Sequence, residues 1–393
     1  MRKTAVPVAV TILTCCVLLC IHAGAVRFGL SKDRSVRLEV PSENTEAVAG
    51  CFNCNNITYC AGYVYAVHAS DATGLSLYRI NLENGEKELV DRAIFTIDTT
   101  SDGMMYYTSY ADGRRSESLN DMMPEYGYEL NMYTGEKRRL DAPVLQVEEY
   151  NDSKFAMEMV CVDGEYESVL CTIDEGGIDI SKAKFDGVYM LSCVYKDYAY
   201  VRGINNLERV IRISLDSGKA EAVSTYGEVV GIEDDKLYSI YATSDGNGGI
   251  DNIICQYNIK TRAARTIVRS KAELSIIDIT SEKLLIEVRE RGLVNYYVYD
   301  VEKNTCERFG EENVVIMRVD DGKIYYTTMG RGDIGGGSYR YKDLYRVGID
   351  GDRPELLYEG ELDCTSIYGG TLVIGKINPV TSEWMFQKAD REL

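Results

Sequence analysis

Short runs of alternating apolar and polar residues, each broken off by Gly, Asp, Asn or Ser, recur along most of the chain. The clearest is LYRINLENGEKEL at 77–89, which reads as a strand, a turn on Asn84-Gly85 and a second strand. Further copies are YELNMYTGEKRRL (128–140), VIRISLDSGKAEAV (210–223), CQYNIKTRAARTIV (255–268), YVYDVEKNTCERF (297–309) and LYRVGIDGDRPELL (344–357). Asn-Gly or Asp-Gly between two alternating runs is a strong hairpin signal. An inner pair of strands precedes each hairpin, its turn marked by Gly62, Gly103, Ser153, Asp197, Asp235, Glu282, Gly322 and Gly370 in succession. Those landmarks lie about 40–50 residues apart, close to the period of four-stranded propeller blades. One such blade cannot cover its own two faces, so blades must stack round an axis. The pattern therefore predicts an all-β fold over 51–393, a β-propeller of four-stranded antiparallel blades. Eight blades is the first reading; seven, with an irregular entry segment at 51–90, is the second.

The last unit runs out early, with TLVIGKI at 371–377, WMFQKA at 384–389 and no fourth strand. Upstream, Ser35-Val36-Arg37-Leu38-Glu39-Val40 alternates like a strand within a polar stretch. A ring with one open edge is best completed by its other terminus, so 35–40 is expected to close the last blade. Residues 26–50 then act as a linker carrying that strand. Ahead of them, Arg2 and Lys3 open an apolar run from Ala5 to Ile21, followed by Ala23-Gly24-Ala25. That order predicts a signal peptide or an N-terminal membrane anchor over 1–25. The chain is thus expected to be secreted, or held outside the cytoplasm by that segment alone, and monomeric.

Composition sharpens this reading. The formal charge of -19 repels phosphate backbones, so no nucleic-acid partner is expected. Abundant Tyr (30) and one Trp (Trp384) suit tyrosine-packed strands. Only His22 and His68 are present, and His22 lies in the leader, so Ser-His-Asp catalysis and His-built metal sites have almost nothing to draw on. Cys51, Cys54 and Cys60 form C-x2-C-x5-C without a second half-site for zinc, leaving a disulfide or buried thiols as the readings.

The hairpin LYRIN-L-x-x-G following DG-x-x-YYT, seen at 102–108 and 321–327, resembles the repeat of bacterial exported propellers related to the low-density-lipoprotein-receptor-type and TolB-type propellers. The likeness covers about 55–393. It implies a propeller and export, and assigns no catalytic residue.

Candidate chemistry has two places to sit. Asp98, Glu148, Glu233, Asp278 and Asp320 recur near the ends of first strands, where turn chemistry alone favours carboxylates; gathered at a central channel they would serve a glycan- or peptide-active hydrolase or lyase. The alternative lies in three long connections between second and third strands, 111–127, 242–252 and 329–342, which emerge on one face. There Arg114, Arg115, Tyr126, Asp245, Asn247, Asp251, Arg331, Tyr339, Arg340 and Tyr341 make a polar, aromatic rim suited to protein or glycan contact. Asp245, Asn247 and Asp251 also offer oxygens to Ca2+, without a complete EF-type spacing. No other cofactor is expected. The preferred function is a non-enzymatic binding module for an extracellular or cell-envelope protein or glycan, working through this rim.

Overall fold

A computed structural model describes residues 36–38 and 57–392, except 70–74, 111–123, 163–164, 175–176, 204–208, 247, 291–292, 311–313, 321, 330–340, 352, 369–370 and 378–383. Its secondary structure is β throughout, and among the described residues no helix is long and apolar enough to cross a membrane. The first blade comprises strands Ile57–Cys60, Tyr63–Ala69, Leu75–Asn81 and Lys87–Asp91, each antiparallel to the next. Six further four-stranded blades follow at 94–139, 144–186, 189–226, 228–270, 273–309 and 314–362, and the eighth has three strands within 364–392. Blade 1 is thus a full blade, and blade 3 has three ten-residue strands.

Burial explains why these segments become blades. Within a blade the second strand has neighbours on both faces, and its sequence is apolar without alternation: Val64-Tyr65-Ala66, Met105-Tyr106-Tyr107, Ala199-Tyr200-Val201 and Leu284-Leu285-Ile286 are all buried. Successive residues of such a run point to opposite neighbours. Leu284 and Ile286 join the cluster with blade 5, whereas Leu285 joins the cluster with blade 7. Fourth strands such as Lys87–Asp91 and Thr305–Phe309 are largely exposed and charged. The buried tyrosines place their hydroxyls on partners at the seams: Tyr65 donates to the Met132 carbonyl at 2.9 Å and Tyr107 to Asp91 at 2.9 Å.

Eight apolar clusters fill the eight seams between blades, and the last of them closes the ring. It joins Ile57, Tyr59, Val64 and Ala66 of blade 1 to Cys364 and Val373 of blade 8, with Trp384 and Phe386 packed against it. Across the same seam the Tyr59 amide donates to Ser366 Oγ at 3.2 Å. The predicted closing strand does something else. Val36–Leu38 lies parallel to the outermost strand of blade 5, with Val36 opposite Val268 and Leu38 opposite Ser270. Alternation marks a segment as a strand but does not encode its neighbour, and 35–40 carries nothing else to select blade 8. The ring therefore closes by side-chain packing, and Trp384–Glu392 is the outer strand of blade 8 among the described residues.

On the face that bears the first-to-second strand turns, ion pairs link successive blades. Lys154 meets Asp102 at 2.6 Å, Lys283 meets Asp350 at 2.5 Å, and Lys236 pairs with Glu282. Asp235 gathers Lys196, Lys260 and the Tyr195 hydroxyl, and its hydrogen bond from Lys196, ahead of that from Lys260, holds its carboxyl down at about 2. The turns beneath these pairs carry left-handed backbone at both central residues, as at Asp234 and Asp235 (φ 46 and 61) and Ser281 and Glu282 (φ 52 and 60), the signature of tight hairpin turns.

Gly227, between blades 4 and 5, has φ +80, and a methyl group there would overlap the carbonyl oxygen of Ile240. Gly227→Ala is expected to cost about 2–4 kcal/mol, read as a lower urea midpoint with an unchanged slope. A midpoint equal to that of the parent would refute the clash.

Candidate functional site: the channel and its loop-bearing face

In each blade the inner strand starts, and the second strand ends, on the same face. Six of the eight inner strands also carry a bulge in their pairing with the second strand, at 94–96, 144–147, 191–193, 229–231, 276–278 and 316–318. A bulge bends the strand and re-aims its side chains, here along the wall of the central channel.

From the loop-bearing face a cavity of about 1120 Å³ runs inward along the inner strands of blades 6 and 7. Its mouth is set by Glu228 at the start of blade 5, Glu287 and Arg289 at the end of a second strand, and Tyr341 at the start of a third; Tyr296 stands beside them. Deeper, Asp278, Arg318 and Thr365 line it. Most of the charge is already matched. Arg289 Nη2 donates to Glu287 Oε1 at 2.7 Å, Arg202 lies 3.6 Å from Glu228, and Asp278 accepts from the Thr280 hydroxyl at 2.7 Å. Two polar atoms are left over: Arg289 Nε and Thr365 Oγ1 are buried and have no hydrogen-bond partner among the described residues. The described lining contains no Cys, His or Lys.

The residues predicted for the rim divide into three groups. Arg114, Arg115, Asn247, Arg331, Tyr339 and Arg340 lie outside the described residues. Tyr126 and Tyr341 belong to strands, Tyr126–Asn131 and Tyr341–Gly348, instead of loops; the Arg139 guanidinium sits 4.2 Å over the Tyr126 ring, and Tyr341 both lines the cavity and packs against the cluster between blades 7 and 8. Asp245 and Asp251 come together, but around cations. The connection expected at 242–252 is a hairpin paired as far as Ser244 with Ile250, and Asp251 is a buried strand residue. Lys271 bridges both carboxylates and Arg269 meets Asp251 at 2.9 Å, while the Gly249 amide donates to Asp245 at 2.8 Å. Hydrogen bonding from Arg269 holds the Asp251 carboxyl below the usual range. The Lys271 ammonium thus stands between the Asp245 and Asp251 carboxylates.

Two of the five recurrent carboxylates of the inner strands, Glu233 and Asp98, hold neighbouring blades together. Glu233 accepts from the Ser281 and Glu282 amides at 2.7 and 2.9 Å, and Asp98 accepts from the Val147 amide of the next blade at 3.2 Å. Burial pushes Asp98 up to about 6. Burial, and then the charge of Asp98, pushes Glu148 up to about 7. Neither lines the cavity. The sequence carried no sign of Arg289 or Thr365, because a mid-strand Arg or Thr looks the same whether its polar atoms are satisfied or not. The Cys171, Cys193 and Cys306 thiols are pushed up to about 12 by burial, which leaves them poor nucleophiles.

No family model matches the sequence. No match is found among curated proteins either. Solved structures do resemble it. A prolyl endopeptidase aligns with a TM-score of 0.50 at 12% identity, over 84% of this chain and 53% of that one, so the chain spans about half the length of that enzyme. The β-propeller domain of the Trilobed protease from Pyrococcus furiosus aligns at 0.48 and 13% identity, over 80% and 98% of the two chains. BamB from Moraxella catarrhalis aligns at 0.44 and 10%, over 81% and 92%. At such identities the likeness is one of fold.

Proposed function

We propose that this chain is an exported, non-enzymatic β-propeller that binds an extracellular or cell-envelope protein or glycan through its loop-bearing face and the mouth of the channel. Support for export comes from the basic start, apolar run and small-residue end of 1–25. The observation that carries binding is the cavity: large, polar, opening on the face of the longest connections, and lined by carboxylates already matched by Arg or hydroxyl partners. A rigid ring carrying variable connections over a concave mouth is a common way to build a recognition surface. The hydrolase or lyase reading draws on the raised Asp98 and Glu148 carboxyls, and both stand outside the cavity lining.

The test is capture from cell-envelope extract and a glycan array by the parent chain, beside a variant in which 111–123 and 330–340 are cut to short turns. A ligand held by the parent and lost by the variant, with both proteins melting alike, is the expected result. Equal capture by both would remove the face from the argument, and hydrolysis of the panel by the parent would favour the enzyme.

A further inference from the structure

Seven blades end in a fourth strand, and among the described residues the eighth stops at its third, Trp384–Glu392. Its two neighbours are complete, so the outer strands of blade 7 (Glu355–Leu362) and blade 1 (Lys87–Asp91) flank a recess one strand wide, about 5 Å. The backbone at the floor of this recess faces outward. The Gly375 carbonyl accepts from the Asp363 amide at 2.8 Å, on the inner side of the blade. Phe386 lies opposite Gly375 and therefore turns its own N–H and C=O to the open side, as do Trp384 and Lys388 two positions away. Such an edge is a template for an added strand.

The walls of the recess choose the strand. Tyr78 and Ile80 of blade 1 pack in the seam with blade 8, and Lys87 lies opposite Ile80, so Lys87 faces the recess from that side. Lys388 points to the same side, over the Tyr59 ring, because it alternates in step with Trp384 and Phe386 of that seam. Neither ammonium meets a carboxylate among the described residues; Lys87 stands over the Tyr78 ring at 3.9 Å. In a chain with 62 acidic residues against 43 basic ones, two neighbouring lysines left in this way fit an acidic partner. The opposite side is less polar. Met385 and Gln387 face blade 7, where Gln387 Nε2 donates to the Tyr358 hydroxyl at 3.5 Å and Met385 is 50% exposed.

We propose that an extended segment of a partner protein, with acidic and apolar side chains in alternation, pairs antiparallel with Trp384–Lys388 as the fourth strand of blade 8. Its carboxylates meet Lys87 and Lys388, and its apolar side chains cover Met385. A second copy offering the same recessed edge does not fit, because the outer strands of blades 7 and 1 would collide with their counterparts before the two edges reached hydrogen-bonding distance. The recess lies on the outer rim, apart from the channel mouth, and is independent of the reading given to the loop-bearing face.

The experiment is fluorescence anisotropy with the full chain and three labelled nine-residue peptides: alternating valine and glutamate, alternating valine and lysine, and the glutamate peptide with its backbone nitrogens methylated. The glutamate peptide is expected to bind at least 10-fold tighter than the other two, since it alone has both the charge and the pairing edge. Lys87→Glu with Lys388→Glu should weaken it at least 10-fold. Lys388→Pro removes one outward N–H and leaves the pairing with 371–377 in place, and should weaken it about 5- to 10-fold. Both variants should melt within about 2 °C of the parent; if Lys388→Pro fails to fold, the double charge variant decides. Equal binding of the lysine or the methylated peptide would overturn the assignment, as would unchanged binding by the variants. So would no binding of any peptide, the result expected if the chain's own N-terminal segment already pairs there. A parent that sediments as a dimer, dissociated by Lys388→Pro, would give the edge to a second copy and overturn it too.

Discussion

Val373→Asp is expected to lower the stability of the whole ring by about 4 kcal/mol or more, and to make the junction between blades 8 and 1 the first point cut in limited proteolysis. Val373 is fully buried in the seam that joins the last blade to the first. A carboxylate there would be desolvated within the apolar seam, and the nearest cation, Lys388 opposite it in the pairing with the last strand, is exposed and lies over the Tyr59 ring, so it offsets only part of that cost. Because the ring shares no strand across this seam among the described residues, packing and the Tyr59–Ser366 hydrogen bond carry the closure. Propeller blades are stable only as a stacked set, so opening one seam weakens the two blades beside it. The companion variant is Arg37→Pro, which interrupts the three-residue parallel strand on blade 5. It should move the melting temperature by no more than about 2 °C, since one short outer strand is lost and no seam is opened. A large fall for Arg37→Pro with a small one for Val373→Asp would show that the N-terminal strand, and not the apolar seam, holds the ring.

Most of the architecture was legible because it rests on local signals repeated many times. Turn residues at a fixed interval, and strands such as Leu284-Leu285-Ile286 that are apolar without alternation, mark a blade whatever the neighbouring blade is. Repetition let weak evidence add up, and it gave eight units and a last one that has three strands among the described residues. What it could not give was any pairing that occurs once. The strand at 36–38 has one partner, and its alternation fits any open edge equally well. At 242–252, Gly246, Gly248 and Gly249 look like a loop, yet the pairing of Ser244 with Ile250 carries the hairpin through and buries Asp251 against Arg269 and Lys271. The cavity was the least legible. It arises where blades 5 to 8 meet blades 1 and 2, so Glu228, Arg289, Arg318 and Thr365 share a wall only once the ring exists.

The acid pair of blades 2 and 3 gives the second large effect, and its sign follows from the direction of its pKa shifts. Asp98 at about 6 and Glu148 at about 7 both stand above their ordinary values of 3.8 and 4.5, burial being the main cause in each. Carboxyls raised by folding bind protons more tightly in the folded chain than in the unfolded one. Their contribution is therefore intact below about pH 4, where both states are protonated, and is lost as pH rises through about 6 to 7. For Glu148, the step from 4.5 to about 7 corresponds to a penalty on the order of 3 kcal/mol above pH 8. Part of it is mutual, because the Asp98 charge is the second cause of the Glu148 shift. Glu148→Gln keeps the shape and removes the ionisation at that position. It is expected to raise the melting temperature by roughly 3–5 °C at pH 8.5 and by less than about 1 °C at pH 4. A gain of equal size at both pH values would mean that packing, and not charge, separates the two side chains. No gain at pH 8.5 would mean that Glu148 ionises there without strain, with a cation or ligand supplying the charge that the described residues do not.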